Sequence, residues 1–354
     1  MVSLDKSVSL IVSAGSCEDV VDHYQGFTSI EARFHPGLAL PVITLIFNLV
    51  DQTDIRCFRQ GEDMTVILGV ESGDVYLNGK VLKTRVMSVT QHYTLQVSMS
   101  IGLDFVNEFT GYFYDGTSVD ALADLLGRYF DVSNDAKATS DSMSWIGYGV
   151  AKRIAMNIWY RSYYGGGNYL LTGIGPGGAR IIDVLSAVNE KAWKIGSDDN
   201  DDGAFDTVSI EDRKPLLQDG LDRDVTSDSI INTVEYTLHN PDPSPVLVSE
   251  LNSWRAGRRR VIEAQYSEKG PVHANWSKAL AENTGYLSVL RPTVNVSFRG
   301  YLPVRIFDPV DLNLKDSHPR LELGGKYLTG SIAYLASDGR FHTILGLMRE
   351  DIVL

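Results

Sequence analysis

The sequence carries one phrase twice, and a duplication constrains architecture more than any single motif does. Leu321–Glu350, LELGGKYLTGSIAYLASDGRFHTILGLMRE, echoes Val75–Ser100, VYLNGKVLKTRVMSVTQHYTLQVSMS. Each copy reads as a hairpin: a Gly-Lys pair (Gly79-Lys80; Gly325-Lys326), an alternating strand, a polar turn and a returning strand. Ser337-Asp338-Gly339-Arg340 is a strong turn signal, and Thr90-Gln91-His92 a shorter one. Upstream of each, a second shared phrase opens on glycine: Gly61-Glu62-Asp63-Met64-Thr65-Val66-Ile67 and Gly300-Tyr301-Leu302-Pro303-Val304-Arg305-Ile306. The matches are collinear, so the expectation is two copies of one β module.

The segments around the hairpins extend that expectation. Strands are predicted at Val8–Val12, Ile30–Phe34, Pro41–Val50, Ile55–Arg59 and Met64–Val70, and many short strands without βαβ alternation point to a barrel or sandwich. The period then changes. Ser118 is placed to cap a helix whose Val119, Leu122, Leu125, Leu126 and Tyr129 share one stripe. Further helices are predicted at Trp145–Tyr160, with Gly147 and Gly149 weakening its start, and at Ala179–Ile195. Beyond Asp228 the β pattern returns at Ile230–Leu238, Val246–Leu251, Arg259–Tyr266, Tyr286–Phe298 and Pro303–Phe307, with one helix, Ala274–Asn283, among them. The fold predicted from the residues is mixed β and α/β, mainly β: two β modules, barrel or sandwich (1–105 and 226–354), flanking a smaller α/β domain (106–225).

With 354 residues, 44% of them hydrophobic and 22% charged, the chain has the composition of an ordinary globular protein. A formal net charge of −13 argues against gripping nucleic-acid backbones, because that affinity comes from Lys and Arg displacing counterions. Cys17 and Cys57 lack metal-ligand spacing and are read as buried or half-buried thiols in a reducing compartment. No window approaches the ~18 apolar residues of a membrane span, and MVSLDKSVSLIVSAGS has no basic leader pattern, so a soluble protein without membrane insertion is expected.

Two motifs invite chemistry. Gly173-Ile174-Gly175-Pro176-Gly177-Gly178 is a literal G-x-G-x-x-G after a strand-like run and before a predicted helix, the context of a dinucleotide loop; a glycine connection between elements is the other reading. No acidic-ended parallel strand follows, since KIGSDDNDD intervenes. That run is the second motif. Asp198, Asn200, Asp202 and Asp206 occupy ligand positions of a calcium loop bent at Gly203, but the twelfth position is Ser209, so a structural calcium ion competes with a plain acidic insertion. Arg255–Arg260 is the one basic cluster, suited to an acidic protein neighbour or to solvent. The scattered His23, His92 and His342 read as structural, and hydrolase and P-loop signatures are missing, so no cofactor is required and no catalytic residue is assigned.

Two β modules around an α/β insertion, the phrase Phe113-Tyr114-Asp115-Gly116-Thr117-Ser118-Val119-Asp120-Ala121-Leu122, and the closing Gly325–Tyr334 with Thr343, Leu345, Leu347 and Arg349 together resemble the baseplate hub proteins of contractile-tailed phages. The resemblance covers nearly the whole chain. It implies a homotrimer in which two similar barrels per chain make a ring of six, adapting a sixfold tail tube to a threefold central spike and enclosing the DNA channel. It further implies a place in the virion baseplate, assembled in the host cytoplasm, against the spike protein, tail tube or tube-initiator protein, tape measure protein and wedge proteins. The alternative carried forward is an enzyme: an oxidoreductase built on Gly173–Gly178, or a cell-wall hydrolase.

Overall fold

The computed structural model describes residues 9–15, 17–22, 27–49, 52–70, 73–89, 93–137, 142–160, 162, 169–196, 207–210, 231–238, 246–250, 258–264, 294–313, 325–337 and 340–349. Strands β1 (Ser9–Ala14), β2 (Cys17–Asp22), β3 (Phe27–Phe34) and β4 (Val42–Leu49) precede a 3-10 turn, Gln52–Phe58, and then β5 (Asp63–Val70), β6 (Gly73–Val89) and β7 (Tyr93–Ser100). The middle of the chain holds α1 (Leu103–Asn107), β8 (Phe109–Thr117), α2 (Ser118–Leu126), β9 (Val132–Asn134), β10 (Ser142–Val150), α3 (Ala151–Tyr160), β11 (Leu170–Gly175), β12 (Gly178–Asp183), α4 (Val184–Val188) and β13 (Trp193–Gly196). After these come β14 (Thr207–Ile210), β15 (Ile231–Leu238), β16 (Val246–Glu250), β17 (Arg258–Ala264), β18 (Val294–Arg299), β19 (Pro309–Asn313), β20 (Gly325–Ser337) and β21 (Arg340–Arg349).

The predicted class is the one observed: mainly β, with a smaller α/β portion. Alternation drives the strands. In β4, Ile43, Leu45 and Phe47 are buried while Val42 is exposed and Thr44 and Ile46 are half-buried, the period-2 pattern of a sheet with one face on a core.

The duplication is visible in the pairing. Strands β4, β5, β6 and β7 lie side by side in the order β4-β7-β6-β5, and β18, β19, β20 and β21 repeat it as β18-β21-β20-β19. At the β4 end β3 is added, and at the β18 end β14 is added, each antiparallel. Beyond β5 lies β1, antiparallel; beyond β19 lies β13, parallel. Thus β13 and β14, which fall within 106–225 of the sequence, are paired with strands of the second module. A bulge fixes the correspondence: β6 shifts register between Val81 and Lys83, and β20 between Thr329 and Ser331, so Leu82 and Gly330 are equivalent. The equivalence of Gly79-Lys80 with Gly325-Lys326 expected from sequence is therefore two residues out of step: Lys80 matches Leu328. Likewise the counterpart of Asp63–Val66 is Pro309–Leu312, not the second glycine phrase. Gly300–Ile306 is irregular instead of the predicted strand, since Pro303 lacks a ladder donor and the chain turns at Phe307, a non-glycine residue with φ 69°.

Other expectations change locally. Ile55–Arg59 is mostly 3-10 turn, anchored by Thr84 Oγ1 donating to the Phe58 carbonyl at 2.6 Å. Cys57 is disulfide-bonded, and not the thiol expected from the sequence. Trp145–Val150 belongs to β10, and its helix starts at Ala151, after Gly149 at φ 145°. The predicted helix Ala179–Ile195 is strand, short helix and strand. Its Ala179, Ile181 and Ile182 are buried on both faces of a three-stranded sheet, which erases the alternation that would have marked a strand. Helix α2 forms as expected, although Thr117 and not Ser118 caps it, its hydroxyl accepting from the Asp120 amide at 3.1 Å. The predicted helix Ala274–Asn283 lies outside the described residues, as do His23 and His92.

Candidate functional site: the seam between the modules

One strand belongs to both modules. β3 pairs with β4 on one edge and with the second half of β20 on the other, Phe34 opposite Ile332 through Ser29 opposite Ser337. The two repeats are thereby one continuous sheet. Its buried face at the junction is aromatic: Tyr334 is fully buried, with Phe34 at 5.7 Å edge-on, Tyr301 at 5.4 Å and Phe341 at 5.8 Å between ring centroids. The Tyr334 hydroxyl has no hydrogen-bond partner, and burial, with Tyr301 beside it, raises its pKa well above the ordinary tyrosine value.

The middle of the chain is clamped onto this seam by a buried arginine. Arg180, in β12, donates from Nε to Asp135 Oδ2 at 2.9 Å, from Nη1 to Asp308 Oδ1 at 2.8 Å and to the Ile306 carbonyl at 2.7 Å, and from Nη2 to both Glu190 oxygens at 2.8 and 2.7 Å. A guanidinium has five N–H donors, and here they meet three carboxylates and a carbonyl. Burial lowers the Arg180 pKa, but hydrogen bonds and charge from Glu190, Asp308 and Asp135 outweigh it, so the net shift is upward. For Asp135, burial pulls upward, and hydrogen bonds from Arg180 and Ser133 more than reverse it. Asp308 also accepts from the Arg305 amide at 2.9 Å and from Trp193 Nε1 at 3.2 Å, tying the turn at Phe307 to β13. Sequence reasoning passed over Arg180. The available signal was a lone arginine inside the apolar run Ala179–Ile182, a charge that must be paired if that run is buried.

The glycine motif has a structural task in the same place. Gly173–Gly178 forms the β11–β12 hairpin, Gly175 opposite Gly178, and an antiparallel strand follows where a dinucleotide site needs a helix N-terminus. Gly173 is pressed against Pro36 and Ile306, where a Cβ would sit 3.4 Å from the proline Cα and 3.1 Å from the isoleucine, and Gly37 N–H donates to the Thr172 carbonyl at 2.7 Å. The hairpin borders a cleft of about 340 Å³ with Tyr76, Tyr301, Arg305 and Tyr334. Of the other predicted sites, Asp198, Asn200, Asp202 and Asp206 lie outside the described residues, as does Arg255, while Arg258–Arg260 begin β17. Among the described residues no group of three or more His, Cys, Asp or Glu could hold a metal, and no helix is long and apolar enough to cross a membrane.

Opposite in character is the ribbon of β8 and β10. Tyr112 and Trp145 face inward, Tyr112 donating to the Ala121 carbonyl at 2.6 Å and Trp145 Nε1 to the Gly116 carbonyl at 3.1 Å, while Phe109, Phe113, Ile146 and Tyr148 lie 61–81% exposed.

No family model and no curated protein matches the sequence. Solved structures do match the fold. The tail protein from Neisseria meningitidis MC58 aligns over 98% of both chains with a TM-score of 0.64 and 12% identity. The 43 kDa tail protein of prophage MuSo2 from Shewanella oneidensis aligns over 98% of this chain and 99% of its own, with a TM-score of 0.61 and 13% identity. A half-lidded Francisella PdpA-VgrG complex contains a chain aligned to 98% of this one and 58% of its own, with a TM-score of 0.51 and 8% identity. The architecture of this chain, from the first module through the insertion to the second, is that of phage tail proteins.

Proposed function

We propose that this protein is a structural baseplate hub of a phage tail, in which three copies close a ring of six β modules, joining a sixfold tail tube to a threefold central spike around the DNA channel. The observation that carries the reading is the duplicated connectivity, β3 with β4–β7 and β14 with β18–β21, in modules joined side by side through β3 and β20. A chain that repeats its module once presents twofold pseudo-symmetry, so a threefold assembly gains a sixfold face with no second gene product. The likeness to tail proteins supports the setting, a virion tail component. The net charge of −13 suits a channel that DNA must cross without adhering. The exposed apolar ribbon face of Phe109, Phe113, Ile146 and Tyr148 supports a protein that works in an assembly, with the spike, tube or tube-initiator, tape measure and wedge proteins as its neighbours. The role is mechanical and not enzymatic, and the oxidoreductase reading loses its basis with the hairpin at Gly173–Gly178. Light scattering on the purified chain, alone and with the spike protein of the same phage, tests the proposal. A mass of three copies is expected, with a ring of six lobes in projection images; a strictly monomeric mass in both samples overturns it.

A further inference from the structure

The repeat specifies how neighbouring copies would meet. With Leu82 and Gly330 equivalent, Val86 takes the place of Tyr334, for Val86 stands opposite Leu95 and Tyr334 opposite the equivalent Thr343. Ser88 and Val89 take the places of Leu335 and Ala336, with Met87 the extra residue of a second bulge in β6. On the partner side, β14 takes the place of β3. Val208 stands opposite Val296 as Ile30 stands opposite Leu45, and Ile210 opposite Val294 as Ala32 stands opposite Ile43.

In the second module the slot beside β20 is filled, since β3 lies along it with Ala32 opposite Tyr334, Glu31 opposite Leu335 and Ile30 opposite Ala336. In the first module the matching slot is open. β5 pairs with β6 only through Gly73–Lys80, and from Lys83 to Val89 that edge has no strand against it among the described residues. β14 likewise pairs only with β18 among the described residues. The open stretch is exposed, Val86 at 45% and Met87 at 51%. Among the described residues, one chain therefore carries one filled slot, one empty slot and one strand of the kind that fills it. An unpaired strand edge is a template for another strand, and here the molecule itself shows which strand fits and in what register.

We infer that β14 of one copy adds antiparallel to the Lys83–Val89 edge of β6 in the next copy, with Ile210 opposite Val86, Ser209 opposite Ser88 and Val208 opposite Val89. This inference rests on the ring proposed above. The contact joins two different surfaces, so it runs head to tail, and it closes only if its rotation matches that of the β3–β20 junction it copies.

Paired cysteines test the register. Directly opposed residues hold their Cβ atoms about 4.5–5.5 Å apart, close to what a disulfide spans. The full chain carrying Ser88→Cys and Ser209→Cys, under mild oxidation, is expected to give a covalent ladder ending at three copies on a non-reducing gel. Either substitution alone gives no ladder, because equivalent residues of different copies do not meet. Glu31→Cys with Leu335→Cys, opposed across β3 and β20 within one chain, serves as the control and should consume its thiols with no gain in mass. As an independent readout, amide exchange over Lys83–Val89 should slow about tenfold or more between dilute monomer and assembled protein. A trimeric mass with no ladder, while the control bridges, overturns the edge pairing and leaves the ring standing; a monomeric mass overturns both. A Ser88–Ser209 bridge confined to one chain also overturns the inference, since β14 would then reach its own β6.

Discussion

Two side chains concentrate the energetics of the seam. Arg180 is 5% exposed and Asp308 is 8% exposed, so Arg180→Met removes the guanidinium that three carboxylates share, leaves the buried Asp308 with the exposed Arg305 as its counter-charge, and should cost about 3–5 kcal/mol in urea unfolding. Asp135 adds a pH dependence whose sign follows from its depressed pKa: its stabilisation is fully present above the unfolded value and is lost as pH falls through the folded one. Because an unfolded aspartate titrates near ~3.9, wild type should lose melting temperature on acidification below about pH 4, and Asp135→Asn should flatten that fall. Tyr334 acts in the other direction. Its buried hydroxyl is unpartnered, so Tyr334→Phe should hold or raise stability by about 1 kcal/mol, whereas Tyr334→Ala, which empties the aromatic cluster, should lose about 3–5 kcal/mol. None of these residues stood out in the sequence as a site. Phe34 and Tyr334 read as ordinary strand residues because a partner three hundred or so positions away leaves no local signal, and the Gly-Lys pairs that suggested a register are a coincidence of letters that the bulges at Leu82 and Gly330 correct.

Elements with a clean period were legible, and those without one were not. β4, β7 and the stripe of α2 show alternation or helical spacing because one face meets the core and the other meets solvent. β12 is buried almost throughout, so its strand character was hidden, and the glycines between it and β11, whose start did read as strand-like, looked like a cofactor motif. The 3-10 turn before β5 was hidden for a different reason: Ile55, Cys57 and Phe58 are apolar residues in a segment too short to display any period. At this scale the Thr117 cap of α2 predicts that Thr117→Ala lowers stability by about 1 kcal/mol in thermal or urea unfolding. Gly178 predicts more, since it sits at φ 104° and a Cβ there would run into the Asp131 carbonyl. Gly178→Ala should therefore be more destabilising than Thr117→Ala in the same assay, and it should disturb the β9–β12 pairing that Asp131 precedes.

For the molecule as a whole, the duplication and the mainly β class were legible because a repeat survives as collinear phrases even when its register is misread. The calcium loop at Asp198, Asn200, Asp202 and Asp206 is settled by thermal unfolding: a structural ion raises the melting temperature in calcium over chelator, magnesium does so much less, and Asp202→Ala abolishes the difference. Equal curves leave an acidic insertion. The shared strand also sets an order of events during synthesis. β3 gains its second neighbour only when β20 exists, and Ile332 and Phe34 are separated by most of the chain. Contacts of such long range form late and slowly, so the first module leaves the ribosome with the β3 edge bare and waits, adhesive, for the last hairpin to arrive. A chain stopped before Gly325 should therefore aggregate where the full chain stays dispersed, and the closing of the seam would time when a copy is ready to meet its neighbours.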